Sequence, residues 1–193
     1  AVADLVDNSI EAGASHIEID IRYRAAESYI MIADDGAGMT DSAINEALRF
    51  GSQRQYGADA LGRYGLGLKT ASLSQCRRLT VVSRRSTQQH RVAVRQLDLA
   101  RIELTDRWDV VDPERIGVID RAVHRLRQGP GTIVIWENLD RILGTTDPDG
   151  GWAKRRLAKL APQVEGYLGM VFHRFLTGDV PGRPTLHISI NGE

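Results

Sequence analysis

The chain begins with four polar side chains whose types and spacing suit metal binding and water activation: Asp4, Asp7, Asn8 and Glu11. At about 100° per residue, all four lie on one narrow face of a helix. Carboxylate and carboxamide oxygens can hold a hydrated magnesium ion, and a carboxylate can also polarise a water molecule. The pattern therefore predicts a helix that presents oxygen ligands on one side.

The opposite side of the same helix is apolar, with Val2, Leu5, Val6 and Ile10. An ordinary amphipathic helix with a solvated polar face shows the same pattern, and for an isolated stretch that alternative is the commoner one. The interpretation of this face therefore depends on the motifs that follow it.

A second motif, Asp34-x-Gly36-x-Gly38, follows a predicted strand at residues 29–33. An aspartate there can accept a hydrogen bond from an exocyclic amine, and glycines let the backbone approach a flat ring closely. Taken alone, the motif is weak, because most Asp-Gly turns after strands are only turns.

A third motif, Gly62-Arg63-Tyr64-Gly65-Leu66-Gly67, precedes and opens a predicted helix over 66–75. Glycines at a helix N-terminus leave backbone N–H groups free to bind phosphate. The motif lacks the surrounding βαβ unit of a dinucleotide-binding fold, and the sequence contains no complete P-loop motif. Further on, Gly131-Thr132 begins a strand, where the threonine hydroxyl could hydrogen-bond a base beside Asp34.

Hydrophobic periodicity places these motifs on secondary-structure elements. Strands are predicted at 16–23, 29–33, 79–83, 90–97, 132–137 and 186–190, and helices at 41–50, after the N-cap Thr40, and at 152–176, interrupted by Pro162. Residues 51–63 are predicted to form a loop, and residues 98–128 are charged and ambiguous. Helices interleaved with antiparallel hairpins predict an α+β fold, a two-layer sandwich whose mixed sheet is covered on one face by helices.

Composition limits the function classes. The 193 residues carry 25 basic and 25 acidic side chains, so net charge favours neither nucleic acid nor an anionic membrane. A single cysteine, Cys76, excludes an internal disulfide and suits a reducing, cytoplasmic compartment. No apolar run approaches the length of a membrane span. Both ends of the sequence interrupt predicted elements, so we expect a domain taken from a longer protein.

The ordered set of motifs resembles one superfamily, the GHKL ATPases (gyrase, heat-shock chaperone, histidine kinase and MutL). The residues that carry the resemblance are Asp4-x-x-x-Asn8, Asp34-x-Gly36-x-Gly38, Gly62-x-x-Gly65-x-Gly67 and Gly131-Thr132. Residues 3–14 are similar to the MutL and MORC members, and residues 62–72 to the MORC members. The resemblance implies a Bergerat-type ATP-binding domain over residues 1–145 and the start of a transducer-like domain over 146–193.

The resemblance also implies a role for each matching residue, with ATP and Mg²⁺ as cofactors. Asn8 would ligate Mg²⁺, and Asp4 would be the general base. Asp34 would accept from the adenine amine, in a base pocket shared with Gly36, Gly38, Met39 and Thr132. Gly62, Gly65, Leu66 and Gly67 would form the phosphate end of an ATP lid spanning about residues 51–65.

Two departures from the superfamily pattern affect hydrolysis. Asp4 stands where the superfamily usually has glutamate, and the lysine that reaches the γ-phosphate in MutL and MORC members has no clear counterpart. Lys69, Lys154 and Lys159 are candidates only by their proximity in sequence.

The leading expectation is therefore slow ATP hydrolysis that drives lid closure and homodimerisation of a larger protein. One alternative is a nucleotide sensor without turnover, and a weaker one is the catalytic domain of a histidine kinase. DNA is a partner by analogy alone.

Overall fold

The computed structural model describes residues 1–49, 67–85, 91–144 and 150–193. The helices of these segments are α1 (Val2–Glu11), α2 (Asp41–Leu48), α3 (Gly67–Leu73), α4 (Leu99–Thr105), α5 (Gly117–Leu126), α6 (Asp140–Leu143), α7 (Gly151–Val171) and α8 (His173–Leu176). The strands are β1 (His16–Arg22), β2 (Tyr29–Asp34), β3 (Arg78–Arg84), β4 (Ala93–Asp98), β5 (Gly131–Glu137) and β6 (His187–Ile190).

The strands of the described segments form one sheet in the order β4-β3-β5-β2-β1-β6. Neighbours pair antiparallel except β1 and β6, which run parallel. The prediction of an α+β fold built on a mixed sheet is confirmed.

The larger core lies on the face of the sheet that α1, α2 and α7 cover. Isoleucines at alternate positions of β1 and β2 point toward this face, as the period of two in a strand requires. Helix α1 buries Leu5, Val6 and Ile10 against them, which confirms the amphipathic helix predicted at the start of the chain.

The second face is also covered in part, contrary to the expectation of helices on one face only. Helix α5 packs Ile119, Val123 and Leu126 against Ile133 and Ile135 of β5. The helix lies in the charged region 98–128, where sequence periodicity alone was ambiguous. Alternate residues of a strand point to opposite faces, so β5 contributes to both cores.

Residues 150–193 belong to the same packed unit as the rest of the described chain. Helix α7 contributes Ala153, Leu157 and Leu168 to the larger core, and β6 extends the sheet beside β1. Residue 145, the predicted boundary, lies outside the described residues, and the transducer-like identity of this part stays a prediction.

Three helix ends differ from the sequence-based expectation, and α3 ends at Leu73 rather than at residue 75. Helix α7 continues through Pro162 and ends at Val171, so the proline does not interrupt it. Helix α2 ends at Leu48 rather than at residue 50, which is outside the described residues.

Cys76 follows α3 and is fully buried. Its Sγ lies 3.3 Å from the carbonyl oxygen of Ser72. Burial raises the pKa of this thiol to about 12.

Within the described segments, no helix has the length and apolar character needed to span a lipid bilayer.

Candidate functional site

Asp34 ends β2 as a fixed hydrogen-bond acceptor. Its Oδ1 accepts from the backbone N–H groups of Gly36 at 2.9 Å and Thr132 at 3.2 Å, and its Oδ2 accepts from the Ser9 hydroxyl at 3.1 Å. Because a carboxylate has about four acceptor positions, three donors leave it able to accept from a ligand. The partners come from α1, β5 and the turn after β2, so three elements fix this side chain.

Burial raises the pKa of Asp34, and the donors from Gly36, Ser9 and Thr132 offset that effect only in part. The neighbouring Asp35 carboxylate raises it further. A half-buried carboxylate with a raised pKa gains from a further donor, since any hydrogen bond to the charged form stabilises it.

The glycines around Asp34 are required by backbone packing. A Cβ at Gly38, where φ is +66°, would lie 2.0 Å from the carbonyl oxygen of Arg84. At Gly131 it would lie 2.2 Å from the carbonyl oxygen of Asp34, and at Gly36 it would lie 2.9 Å from Cβ of Ala12. These glycines therefore allow the three chain segments around Asp34 to approach one another.

Ser83 is a site residue that the sequence analysis missed. Its Oγ donates to the carbonyl of Gly131 at 2.9 Å and accepts from the N–H of Met39 at 2.7 Å. Since its one proton is already donated, the contact of 2.9 Å with Thr132 Oγ1 makes Thr132 the donor. The lone pairs of Thr132 then remain available as acceptors, although the residue is mostly buried.

Ser83 ends the predicted strand Leu79-Thr80-Val81-Val82-Ser83, which also contains Thr80, and nothing in this local pattern indicates the contacts of Ser83. Ser9 was missed as well. It lies beside Asn8 in the first motif and is buried, and the Leu5 carbonyl, 3.0 Å from its Oγ, is a second acceptor for the one proton that Ser9 shares with Asp34.

The polar face of α1 lies along the same helix that contacts Asp34 through Ser9. Asn8 is half-buried, and the Asp4 side chain, one turn away, is 57% exposed. Partial burial raises the pKa of Asp7, and the carboxylates of Asp4 and Glu11 add to the effect. The helix therefore concentrates negative charge beside Asn8.

This donor set suits Mg²⁺ rather than a metal held entirely by protein. No cluster of three or more His, Cys, Asp or Glu side chains with metal-binding geometry occurs in the described segments. Mg²⁺ commonly takes one or two protein oxygens and completes its shell with water and substrate phosphates. The carboxamide of Asn8 fits that requirement as a single protein ligand.

Only the last residue of the predicted phosphate-binding motif, Gly67, lies within the described residues. Gly67 is the first residue of α3, which packs against α1. A Cβ at Gly67 would meet nothing within 4 Å. Gly62, Gly65, Leu66 and the predicted lid over residues 51–65 lie outside the described residues.

The candidate lysines have different surroundings. Lys69 is only 3% exposed, and its ammonium donates to the carbonyl oxygen of Arg49, so in this conformation it binds the end of α2. Desolvation lowers its pKa. Lys154 and Lys159 are exposed on α7.

A cavity of about 560 Å³ lies beside the turn that follows β2. Its wall includes Asp34 and Asp35 together with His16, Arg125 and His187, and it does not include the polar face of α1. The cavity is therefore distinct from the space beside Asn8.

Comparison with known proteins places most of the chain in one family model. Residues 1–129 match the model described as "Histidine kinase-, DNA gyrase B-, and HSP90-like ATPase". The match includes Asp4, Asn8 and Asp34 and ends just before Thr132.

Individual relatives match over shorter regions. Protein MICRORCHIDIA 6 of Arabidopsis thaliana is 34% identical over 94 residues, which are 46% of this chain and 14% of that protein. ATPase morc-1 of Caenorhabditis elegans is 34% identical over 85 residues, 44% of this chain and 10% of that protein. The chain therefore covers only a small fraction of these relatives.

One solved structure, "Aquifex aeolicus MutL ATPase domain complexed with ADP", matches 99% of this chain and 58% of that chain. Its TM-score is 0.49 and its sequence identity is 15%.

Proposed function

The chain belongs to the histidine kinase-, DNA gyrase B- and HSP90-like ATPase family, and on this premise we propose that it binds Mg-ATP and hydrolyses it slowly. The observation that carries the proposal is Asp34, a half-buried carboxylate held by three donors with acceptor capacity left over. An exocyclic amine of adenine is a donor of the kind that this group needs. Ser9 connects Asp34 to the helix that carries Asn8, so the base and phosphate ends of the site share one element.

In the proposed reaction, water attacks the γ-phosphorus of ATP while the bond from that phosphorus to the bridging oxygen breaks, giving ADP and phosphate. Asp4 accepts the proton of the attacking water. Asn8 would hold Mg²⁺, which supplies charge neutralisation at the phosphates when bound. Asp34 and Thr132 orient the base, and thereby the triphosphate, along α1.

The variant Asn8→Ala tests the binding part of the proposal. We expect Mg-ATP affinity to fall at least tenfold, because the carboxamide ligand is lost, while ATP affinity in EDTA changes little. Isothermal titration calorimetry with and without Mg²⁺ measures both. Glu11→Gln is the matched control, since Glu11 is exposed on the same helix and has no assigned role. Unchanged Mg-ATP affinity in Asn8→Ala contradicts the proposal.

A nucleotide sensor without turnover is the second candidate, and Asp4 is the observation that favours it. An aspartate is shorter than a glutamate by one methylene, about 1.5 Å of reach. A misplacement of that size can cost about a hundredfold in rate. Binding would be unaffected, because Asp34 and Asn8 carry it.

Steady-state phosphate release from Asp4→Asn and Asp4→Glu separates the two candidates. If Asp4 is the base, Asp4→Asn loses turnover, by roughly a hundredfold or more, and retains ATP binding. If the wild type shows no turnover and Asp4→Glu gains it, the protein is a sensor. Turnover that persists in Asp4→Asn removes Asp4 from the mechanism.

The proposal extends to nucleotide-dependent dimerisation of the complete protein, in which ATP stabilises a closed dimer over an open monomer. The mass of the complete protein by light scattering, with and without ATP, tests this part. DNA as a partner rests on analogy, and the balanced charge of 25 acidic and 25 basic residues gives it no support.

A further inference from the structure

Asp35 binds the turn between α1 and β1 through four hydrogen bonds. Its Oδ1 accepts from the backbone N–H groups of Ser15 at 2.8 Å and His16 at 2.9 Å. Its Oδ2 accepts from the Ser15 hydroxyl at 2.8 Å and lies 3.0 Å from His16 Nδ1. These donors hold the pKa of Asp35 at about 2 despite some burial. When His16 carries a proton on Nδ1, all four acceptor positions of the carboxylate are used within the protein.

The two consecutive carboxylates, Asp34 and Asp35, therefore bind different parts of the protein. Asp34 contacts Ser9 and Thr132, whereas Asp35 contacts the turn that follows α1. Backbone bonds strengthen the second connection, with the Ala37 N–H donating to the Ala12 carbonyl at 2.9 Å. The turn after β2 is thus fixed to α1 at two points, one inside the helix and one just past its end.

This arrangement joins the two ends of the proposed nucleotide site. The turn carries the residue that would recognise the base, and α1 carries the residue that would hold the metal ion. A second carboxylate, Asp35, binds Ser15 and His16 at the junction between α1 and β1 and thereby helps to set the distance between the turn and the helix.

The connection continues to the last strand of the sheet. The ring of His16 stacks on the ring of His187, with centroids 5.1 Å apart and planes inclined by 18°. The two residues are register partners on β1 and β6. A displacement of the Asp35 carboxylate would therefore move His16 and alter its contact with β6.

We propose that Asp35 is a positioning residue for base recognition and that, through His16 and His187, it couples nucleotide occupancy to strand β6. The inference rests on the proposed function, because it assigns Asp35 a role in the binding of ATP. Asp35 touches neither base nor phosphate in this account and acts through Asp34 and α1.

The first test measures nucleotide preference in Asp35→Ala and Asp35→Asn. A displaced Asp34 loses its match to the adenine amine, so Asp35→Ala should lower the ratio of ATP to GTP affinity about tenfold. Asparagine keeps an oxygen for the two backbone N–H groups, so Asp35→Asn should restore most of the ratio. A merely structural role would lower the melting temperature without changing the ratio.

Asp41→Ala is the matched control, because Asp41 is similarly exposed and pairs with Arg95, away from the turn. The control should keep the wild-type ratio. An unchanged ratio in Asp35→Ala, with ATP still bound, overturns the inference and leaves the proposed function intact. Absence of ATP binding to the wild type overturns both.

The second test measures amide hydrogen exchange of β6 with and without ATP. We expect ATP to slow exchange in wild-type β6 at least threefold. His187→Ala should abolish that change and keep ATP affinity within about twofold, whereas the exposed His124→Ala on α5 should retain it. The coupling is overturned if ATP does not slow exchange of β6 in the wild type. It is also overturned if ATP still slows that exchange in His187→Ala.

Discussion

At the scale of single residues, the surroundings of Asp34 disfavour its charged form. Its pKa lies above the ordinary value of 3.8 because burial outweighs the three donors that favour the charged form. In the folded state without ligand, the charged form of Asp34 is therefore less stable, relative to its protonated form, than in the unfolded chain. Such a conflict between stability and local chemistry is typical of functional positions.

The variant Asp34→Asn should separate these two effects. The amide oxygen can still accept from Gly36 and Thr132, so the free energy of unfolding at pH 7 should stay within about 1 kcal/mol of wild type or rise. ATP affinity should fall at least tenfold, because the amide NH₂ cannot accept from a base amine. Urea unfolding and calorimetric titration measure the two quantities. Wild-type affinity in this variant would remove Asp34 from the site.

The same variant tests the pKa of Asp34. In the window between 3.8 and its raised folded pKa, the folded state holds a proton that the unfolded state has released. The contribution of Asp34 to stability therefore falls as the pH rises through that window. Asp34→Asn should lack this component, so the stability difference, variant minus wild type, should grow from pH 4 to pH 7.

At the scale of elements, Pro162 is the clearest local conflict. A proline inside a helix removes one backbone hydrogen bond and crowds the preceding turn. Helix α7 nevertheless runs unbroken from Gly151 to Val171. Ala153, Leu157 and Leu168 pack in the larger core, and these apolar contacts stabilise the helix on both sides of the proline.

Pro162→Ala should therefore stabilise the protein. Relative to alanine, proline in a helix interior lowers the free energy of unfolding by about 3 kcal/mol. Because proline also restricts the unfolded chain, up to about 1 kcal/mol of that loss is offset. We expect a net gain of about 2–3 kcal/mol in urea unfolding. Gln163→Ala, at the next exposed position, is the control and should change stability by less than about 0.5 kcal/mol. A loss of stability would mean that the proline ring makes a contact worth more than the missing hydrogen bond.

Elements with strong periodicity could be predicted from the sequence, and those defined by distant partners could not. Helix α1 and strand β1 each bury one side, so residues 2–22 show their period directly. Helix α5 buries Ile119, Val123 and Leu126 on the second face within a charged region, and its role depends on β5, which follows it in the chain.

In the candidate site, too, residues in local motifs could be predicted from the sequence, and a residue defined by distant partners could not. Asp34 and Thr132 belong to recognisable motifs, and β2 and β5 place them opposite each other as register partners. Ser83 could not be found this way, because its partners Met39 and Thr132 are more than 40 residues away in sequence. A lone serine in a strand has no local pattern that would indicate such contacts.

At the scale of the whole molecule, β6 closes the sheet with a strand that follows β1 by more than 160 residues. The His187 N–H donates to the Ser15 carbonyl at 2.9 Å, and the Asn191 N–H donates to the Ile19 carbonyl at 2.8 Å. The side chain of Asn191 accepts from the Ile21 N–H at 2.8 Å. These bonds cover the edge of β1, which otherwise would be open.

Deletion of residues 187–193 should therefore lower the melting temperature and promote self-association, because an uncovered strand edge pairs readily with another chain. Thermal denaturation followed by circular dichroism measures the first effect, and light scattering measures the second. Deletion of residues 192–193 alone is the control, since it keeps β6 and Asn191. A monodisperse shortened chain with the wild-type melting temperature would show that β6 contributes little.

The burial of Cys76 has a practical consequence for spectroscopy. It is the only cysteine in the 193 residues, and with a pKa of about 12 its thiol carries almost no thiolate at neutral pH. Maleimide dyes and thiol-reactive spin labels should therefore not react with the native protein. A single cysteine introduced at an exposed position, such as Glu11 beside the proposed metal ligand, would take the label alone. Nucleotide binding could then be followed optically in an otherwise unaltered chain.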